Sequence, residues 1–350
     1  MSKFFSDKYK NLTPYVPGEQ PQDMEYLKLN TNESPFPPSP YASRMARVEA
    51  GNLQLYSDPE CRGLRKVAAA KLGVEEDEII FTNGSDEILN FAFMAFCDDK
   101  TPAAFADITY GFYPVAANLN GVKFERIPLR DDFTINVDNY IGIEKTIFIA
   151  NPNAPTGVLL PLSDIEKIVK GNPDNIVVVD EAYIDFGGES ALNLTKKYDN
   201  LLVCHTFSKS YSLAGARLGF GVANAKIIAD LNTIRNSCNP YNINRMTMAA
   251  GIGALCDEEY FKCNCAEIIK NRENTKRELK RLGFSFTDSK ANFIFAKSDK
   301  IGGKELYLAL KEKGVLIRHF DGGRISDYNR ITVGSAEQMD RFIKVLEEIL

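Results

Sequence analysis

Between residues 78 and 223 the chain repeats one unit: a short apolar run, a cluster of turn or polar residues, and a stretch of helical periodicity. The runs are EIIFT (78–82), AAFAD (103–107), VKFERI (122–127), TIFIAN (146–151), NIVVVDEAY (175–183), LLVCHTF (201–207) and ARLGFGVA (216–223). Helical patterns such as DEILNFAFMAFC (86–97) and LSDIEKIVKG (162–171) fall between several of them. Strands alternating with helices imply βαβ crossovers, so this order predicts an α/β fold with a mostly parallel sheet. NIVVVD is apolar without alternation, as expected of a central strand covered on both faces.

From about residue 251 the texture changes. A long charged helix (EEYFKCNCAEIIKNRENTKRELKRLG) precedes NFIFAKS, a second helix (KELYLALKEKG), VLIRHF, RITVGS and a closing helix, AEQMDRFIKVLEEIL. Few strands among amphipathic helices predict a smaller α+β unit, completed by the Pro-rich opening NTNESPFPPSPY (30–41). The expected division is a large unit over 42–250 and a second built from 1–41 and 251–350; 350 residues suffice for two cores.

Composition narrows the partners. Hydrophobic residues make up 44% and charged residues 25%, with a net charge of −5, so no basic field is offered to nucleic acid or an anionic membrane. The opening MSKFFSDKYKNLTPY lacks an apolar signal region, and no window approaches the roughly 18 apolar residues of a membrane span, which makes the cytosol the expected compartment. Seven cysteines without paired spacing fit reduced thiols, and Cys263 and Cys265 lack a second pair at zinc-site spacing, so no metal is expected. With two histidines, His205 and His319, acid–base chemistry has to rest on other groups.

In an open parallel sheet, ligands bind beyond the carboxyl ends of the strands. Four such ends carry chemistry here. EIIFT runs into NGSDE and a helix, so backbone N–H groups at Ser85 and Asp86 could attract a phosphate, or those side chains could simply cap the helix. TIFIAN runs into PNAPTG, a rigid turn open to a cis proline bond that would hold Asn151 or Asn153 at the sheet edge, although ordinary turn chemistry explains it as well. NIVVVDEAY closes on Asp180 and Glu181, where a carboxylate asks for a compensating partner or serves in a structural ion pair. LLVCHTF leads to Lys209 between hydroxyl residues, with Arg217 eight positions on; desolvation there would help the amine lose its proton. An amine, a buried carboxylate, a phosphate cradle and nearby phenols together are the parts that pyridoxal phosphate requires of a protein.

The motifs LNTNESP, LYSDPE, NGSDE, TYGFY, NPNAPTG, VVVDEAYIDF, TFSKSYSLAGARLGF and RITVGS span nearly the whole chain, and in this order they resemble the fold-type I pyridoxal-phosphate-dependent aminotransferases. The resemblance implies a seven-stranded sheet and pyridoxal 5′-phosphate as cofactor. It also implies that Lys209 is the covalent anchor and proton carrier, Asp180 the partner of the ring nitrogen, Tyr183 the partner of the ring hydroxyl and Tyr110 the group on the ring face. Ser85, Asp86, Thr206, Ser208 and Arg217 would hold the phosphate, and Tyr56 would reach the phosphate of a neighbouring subunit in a homodimer. LTPYVPGEQP and DEAYIDF look most like the branch that exchanges an amino group between histidinol phosphate and 2-oxoglutarate, yielding glutamate. Arg318 and Arg330 would then bind the substrate anion, with Tyr15 and Asn32 completing the pocket. A threonine-phosphate decarboxylase or an aromatic-amino-acid aminotransferase shares the same cofactor residues. The pattern departs from the family at Ala154, where an asparagine is usual before Pro-Thr-Gly, and at Ser34; Asn153 is the expected substitute for the missing amide.

Overall fold

A computed structural model describes residues 2–350. In chain order its strands are β1 (Leu27–Lys28), β2 (Ile79–Thr82), β3 (Ala103–Ala106), β4 (Phe124–Ile127), β5 (Thr146–Ala150), β6 (Val177–Asp180), β7 (Leu201–Thr206) and β8 (Gly219–Val222). These are followed by β9 (Phe284–Phe286), β10 (Phe293–Ser298), β11 (Val315–Leu316), β12 (Arg318–His319) and β13 (Asn329–Thr332).

Seven of them form one sheet in the order β2-β8-β7-β6-β5-β3-β4, in which only β8 runs against the rest. The alternation of side chains along the central strands sends Val178, Leu202 and Phe148 into a core on one face and Val177, Val179, Leu201 and Val203 into a core on the other. The helix Leu162–Lys170 covers the second face with Ile165, Ile168 and Val169, an i, i+3, i+4 stripe. Phe93 from the helix Ser85–Phe96 stacks on Phe148 on the first, with centroids 4.0 Å apart.

A second, antiparallel sheet has the order β12-β13-β10-β9. It packs with the helices Glu258–Arg281 and Ala336–Ile349 around Phe293, Ile331 and Phe342. The N-terminal arm joins this unit through β1, which pairs in parallel with β11, and through Leu27 and Leu29, which enter its core. Ser335 and Gln338 form a capping box at the start of the last helix.

The seven strands expected of the large sheet are present, each shorter than its apolar run, while VLIRHF divides into β11 and β12, which pair in different sheets. The largest difference is in NIVVVDEAY, where the extended segment stops at Asp180 and Ile184–Phe186 coil into a short 3-10 turn. Neither Ser85 nor Asp86 caps its helix. The capping position is Gly84, at φ +81°, and no side chain bonds the helix amides there.

Candidate active site

The carboxyl ends of β2, β3, β5, β6 and β7 open onto a cavity of about 1210 Å³, closed on its other side by the second sheet and by arm residues 14–18. It is lined by Tyr15, Asn32, Ser85, Asp86, Tyr110, Asp180, Tyr183, Thr206, Ser208, Lys209, Arg217, Arg318 and Arg330, contributed by segments more than 300 positions apart.

At the β2–β8 end two glycines make room for an anion cradle. A Cβ on Gly84 would come within 2.6 Å of the Arg217 guanidinium, and one on Gly219 would meet the Ser85 backbone nitrogen at 2.6 Å. The uncapped N-terminus of the helix Ser85–Phe96 therefore stands beside Arg217, where its amides and dipole favour a phosphate. Arg217 donates to Asp86 at 3.2 Å and to the Ser208 hydroxyl at 3.5 Å, and the Ser208 amide donates to Thr206 Oγ1 at 3.1 Å. The Tyr110 hydroxyl donates to the other Asp86 oxygen at 2.9 Å, which fixes its ring at the cavity wall.

Asp180 ends β6 at 4% exposure. Burial pushes its carboxyl up to about 6, against the pull of the Tyr113 hydroxyl, which donates at 3.0 Å, and of the Ala182 amide at 3.3 Å. Its direct hydrogen bonds come from these neutral donors, and the His205 imidazole adds a more distant attraction. Glu181 beside it is likewise held by the Ser190 hydroxyl and the Ala191 amide, on the far side of the sheet end.

Lys209 lies just past β7, and its amine donates to the Thr31 carbonyl at 3.2 Å. Desolvation lowers it to about 8, helped by the nearby charge of Arg330 and opposed by Glu33 and Asp86. The neutral, nucleophilic form is therefore within reach near neutral pH. Tyr183 faces the same space: its ring centroid is 5.9 Å from the Lys209 nitrogen and its hydroxyl accepts from Asn32 Nδ2 at 2.9 Å.

On the opposite wall, Arg318 and Arg330 are direct cross-strand partners in the β12–β13 pair. Like charges placed opposite each other destabilise a sheet unless an anion lies between or near them. Arg330 donates to the Asn30 carbonyl at 3.1 Å, sits over Phe293 and Phe320, and keeps its buried Nε without a partner. Arg318 donates to the carbonyls of Val16 and Pro17 rather than to a carboxylate, so it is not a surface ion pair.

Two expected site residues are elsewhere. Asn153 does not line the cavity. Its amide donates to the Ile108 carbonyl and Thr156 Oγ1 and its oxygen accepts from Thr109, so its hydrogen bonds are spent inside the turn, while the small Ala154 faces the cavity. That corrects the expectation of a ring contact from Asn153; the peptide bonds before Pro152 and Pro155 are both cis. Tyr56 is 80% exposed outside the cavity and stacks on Tyr241. One residue that sequence reasoning missed is Tyr113, whose signal was present in TYGFY: a buried carboxylate needs a donor, and a phenol one turn beyond Tyr110 can supply it.

The donor set fits pyridoxal phosphate: an anion cradle, a buried carboxylate and an amine of lowered basicity share one cavity. The profile of the aminotransferase class I and II family matches residues 24–346. The chain is 50% identical to the histidinol-phosphate aminotransferase of Brachyspira hyodysenteriae over 100% of this chain and 99% of that one. It is 44% identical to the one of Clostridium acetobutylicum over the full length of both. Among solved structures, histidinol-phosphate aminotransferase from Sinorhizobium meliloti in complex with pyridoxal-5′-phosphate shares the fold at a TM-score of 0.89 and 23% identity, covering 100% of this chain and 99% of that one. The motifs, the geometry and these full-length relatives agree: the chain belongs to the aminotransferase class I and II family, in its histidinol-phosphate aminotransferase branch.

Proposed function

We propose that this protein exchanges an amino group between L-histidinol phosphate and 2-oxoglutarate, with pyridoxal 5′-phosphate held across the ends of the large sheet. The reading is carried by one arrangement, the Lys209 amine sharing a single cavity with the Asp180 carboxylate and the Arg318–Arg330 pair. The likeness to full-length histidinol-phosphate aminotransferases supports the choice of substrates.

When bound, pyridoxal phosphate supplies an aldehyde for covalent attachment and a ring that accepts electrons. Lys209 would be the group it attaches to, and its amine, of lowered basicity, would take and return the proton at the substrate α-carbon. Asp180 would keep the proton on the cofactor's ring nitrogen. The amides of Ser85 and Asp86, the hydroxyls of Thr206 and Ser208, and Arg217 would hold its phosphate, with Tyr110 at the ring face. Tyr183 serves the ring hydroxyl unaided by position 154; because it accepts from Asn32, its own proton is free to be donated there. Arg330 and Arg318 take the substrate phosphate and, in the second half-reaction, a 2-oxoglutarate carboxylate, since guanidinium forks suit both anions. Tyr15 packs edge-on to Tyr110 and closes the arm side of the pocket.

We place the protein in the cytosol as a homodimer of chains divided into a large unit over 42–250 and a small unit from 1–41 and 251–350. The exposed apolar side chains Val48, Leu53, Leu55, Tyr56 and Tyr241 support a self-association surface, from which Tyr56 would reach the partner's phosphate cradle. No described helix is long and apolar enough to cross a membrane.

The deciding experiment is a panel of amino donors, each mixed alone with the cofactor-loaded enzyme and followed by absorbance. Conversion of the cofactor by histidinol phosphate and glutamate, with neither phosphothreonine decarboxylation nor efficient turnover of aromatic amino acids, is the expected result. Loss of carbon dioxide from phosphothreonine, or silence with histidinol phosphate, overturns the assignment.

A further inference from the structure

We propose that Tyr113 is a positioning residue for the cofactor's ring nitrogen, its hydroxyl holding the Asp180 carboxylate ionised and in one orientation at the cavity floor. The inference rests on the cofactor reading given above and adds a residue that does not line the cavity.

Strand alternation sets up the contact. Asp180 follows Val178 by two positions, so it projects to the face whose core contains Val178, Leu202, Cys204 and Tyr113. Cys204 lies beside it in the neighbouring strand and leaves no polar group there beyond a thiol that burial keeps protonated. The donor has to come from above the sheet, and the helix Phe112–Leu119 brings Tyr113 into that place. Tyr113 is fully buried, and the one hydrogen bond of its hydroxyl is the 3.0 Å bond to Asp180 Oδ2. Its ring is packed edge-on against Tyr110 at 5.8 Å and at a tilt against Phe105 and Phe148, which fixes the direction of the hydroxyl.

The energetics favour a specific role over packing alone. A phenylalanine would fill the same core volume, while the hydroxyl is tolerable in an apolar core only because it is bonded. Burial and the charge of Asp86 push the carboxyl toward protonation; the Tyr113 hydroxyl, the Ala182 amide and His205 push the other way. Among these, Tyr113 is the side-chain donor in contact. Removing it raises the folded-state pKa of Asp180, so a larger fraction is neutral at any given pH below neutrality and can no longer hold a protonated ring nitrogen.

The test uses pyridoxamine phosphate, which presents the same ring without an aldehyde and so separates Asp180 from the chemistry of Lys209. Its affinity for the apo-protein is measured from pH 5 to 9 for wild type, Tyr113→Phe, Asp180→Asn and the double variant. Loss of a hydrogen bond to a charged group predicts that Tyr113→Phe weakens binding about tenfold near neutral pH and moves the acid limb of the profile upward. In the Asp180→Asn background the same change has little further effect, because its partner charge is gone. A Tyr113→Phe profile that overlies wild type, or an equal loss in both backgrounds, overturns the inference. A wild-type protein that binds no pyridoxamine phosphate at all overturns the cofactor reading, and this inference with it.

Discussion

The two walls of the cavity treat their charges differently. On the large-sheet side, Asp180, Asp86, Tyr110 and Tyr183 have partners from within the chain, at 2.9–3.2 Å, before any ligand arrives. On the small-sheet side, two guanidinium groups face each other across β12 and β13; one is spent on arm carbonyls and the other keeps a buried N–H unpaired. A cofactor that stays bound rewards a wall that is fixed in advance. Two substrates that alternate in one pocket reward donors whose in-chain bonds are weak enough to exchange for an anion.

The contrast can be broken by substitution. On the fixed wall, Lys209→Ala removes the proton carrier and should lower turnover by about 10³-fold or more, measured as steady-state glutamate formation. Asp180→Asn leaves the shape but not the charge, and about a 10²-fold fall in the rate of the half-reaction is expected, with weaker cofactor retention on dialysis. On the exchangeable wall, Arg330→Ala should lower kcat/KM for histidinol phosphate by about 10²-fold while the loaded protein keeps its colour. Loss of colour in that variant would merge the two walls into one. Arg318→Ala, at a half-buried group already bonded to the arm, should lower kcat/KM by only about tenfold, mainly through KM.

The smallest expected effect concerns stability. Lys209 is held below its ordinary pKa, so the folded state binds fewer protons than the unfolded one between pH 8 and the normal lysine range. Stability therefore rises with pH across that window, and below pH 8 the fold carries the whole burden of the buried charge. Lys209→Met should raise the melting temperature of the apo-protein at pH 7 by about 2 °C, with the gain shrinking as pH climbs past 8. A variant equally stable at pH 7 would mean that the amine is solvated and its lowered basicity does not extend to the apo-protein.

Much of the fixed wall was legible before any coordinates. The apolar runs EIIFT, NIVVVDEAY and LLVCHTF announce strand ends within a few residues of Thr82, Asp180 and Thr206, and ligands gather at such ends in parallel sheets. Asn153 shows where that reading runs out. A turn sequence gives no sign of which amide points inward, and here Ile108, Thr109 and Thr156 capture Asn153, leaving Ala154 to face the cavity. Tyr113 was missed for the complementary reason, since an aromatic in an apolar helix reads as core until a carboxylate is found above the strand it covers.

The exchangeable wall was the harder of the two. Arg318 and Arg330 could be named from their strands, but their placement directly opposite each other depends on the β12–β13 register. Likewise, nothing in residues 14–17 announces that their carbonyls will occupy Arg318.

The sequence by itself determined the alternation of strands and helices and the chemical identity of the groups at the strand ends, because periodicity and burial act locally along the chain. Only the tertiary structure decided which groups share a hydrogen bond: Asn32 with Tyr183, Tyr113 with Asp180, and the arm with Arg318. Such bonds join residues 67 to 302 positions apart, and their geometry is set by packing that no local pattern encodes.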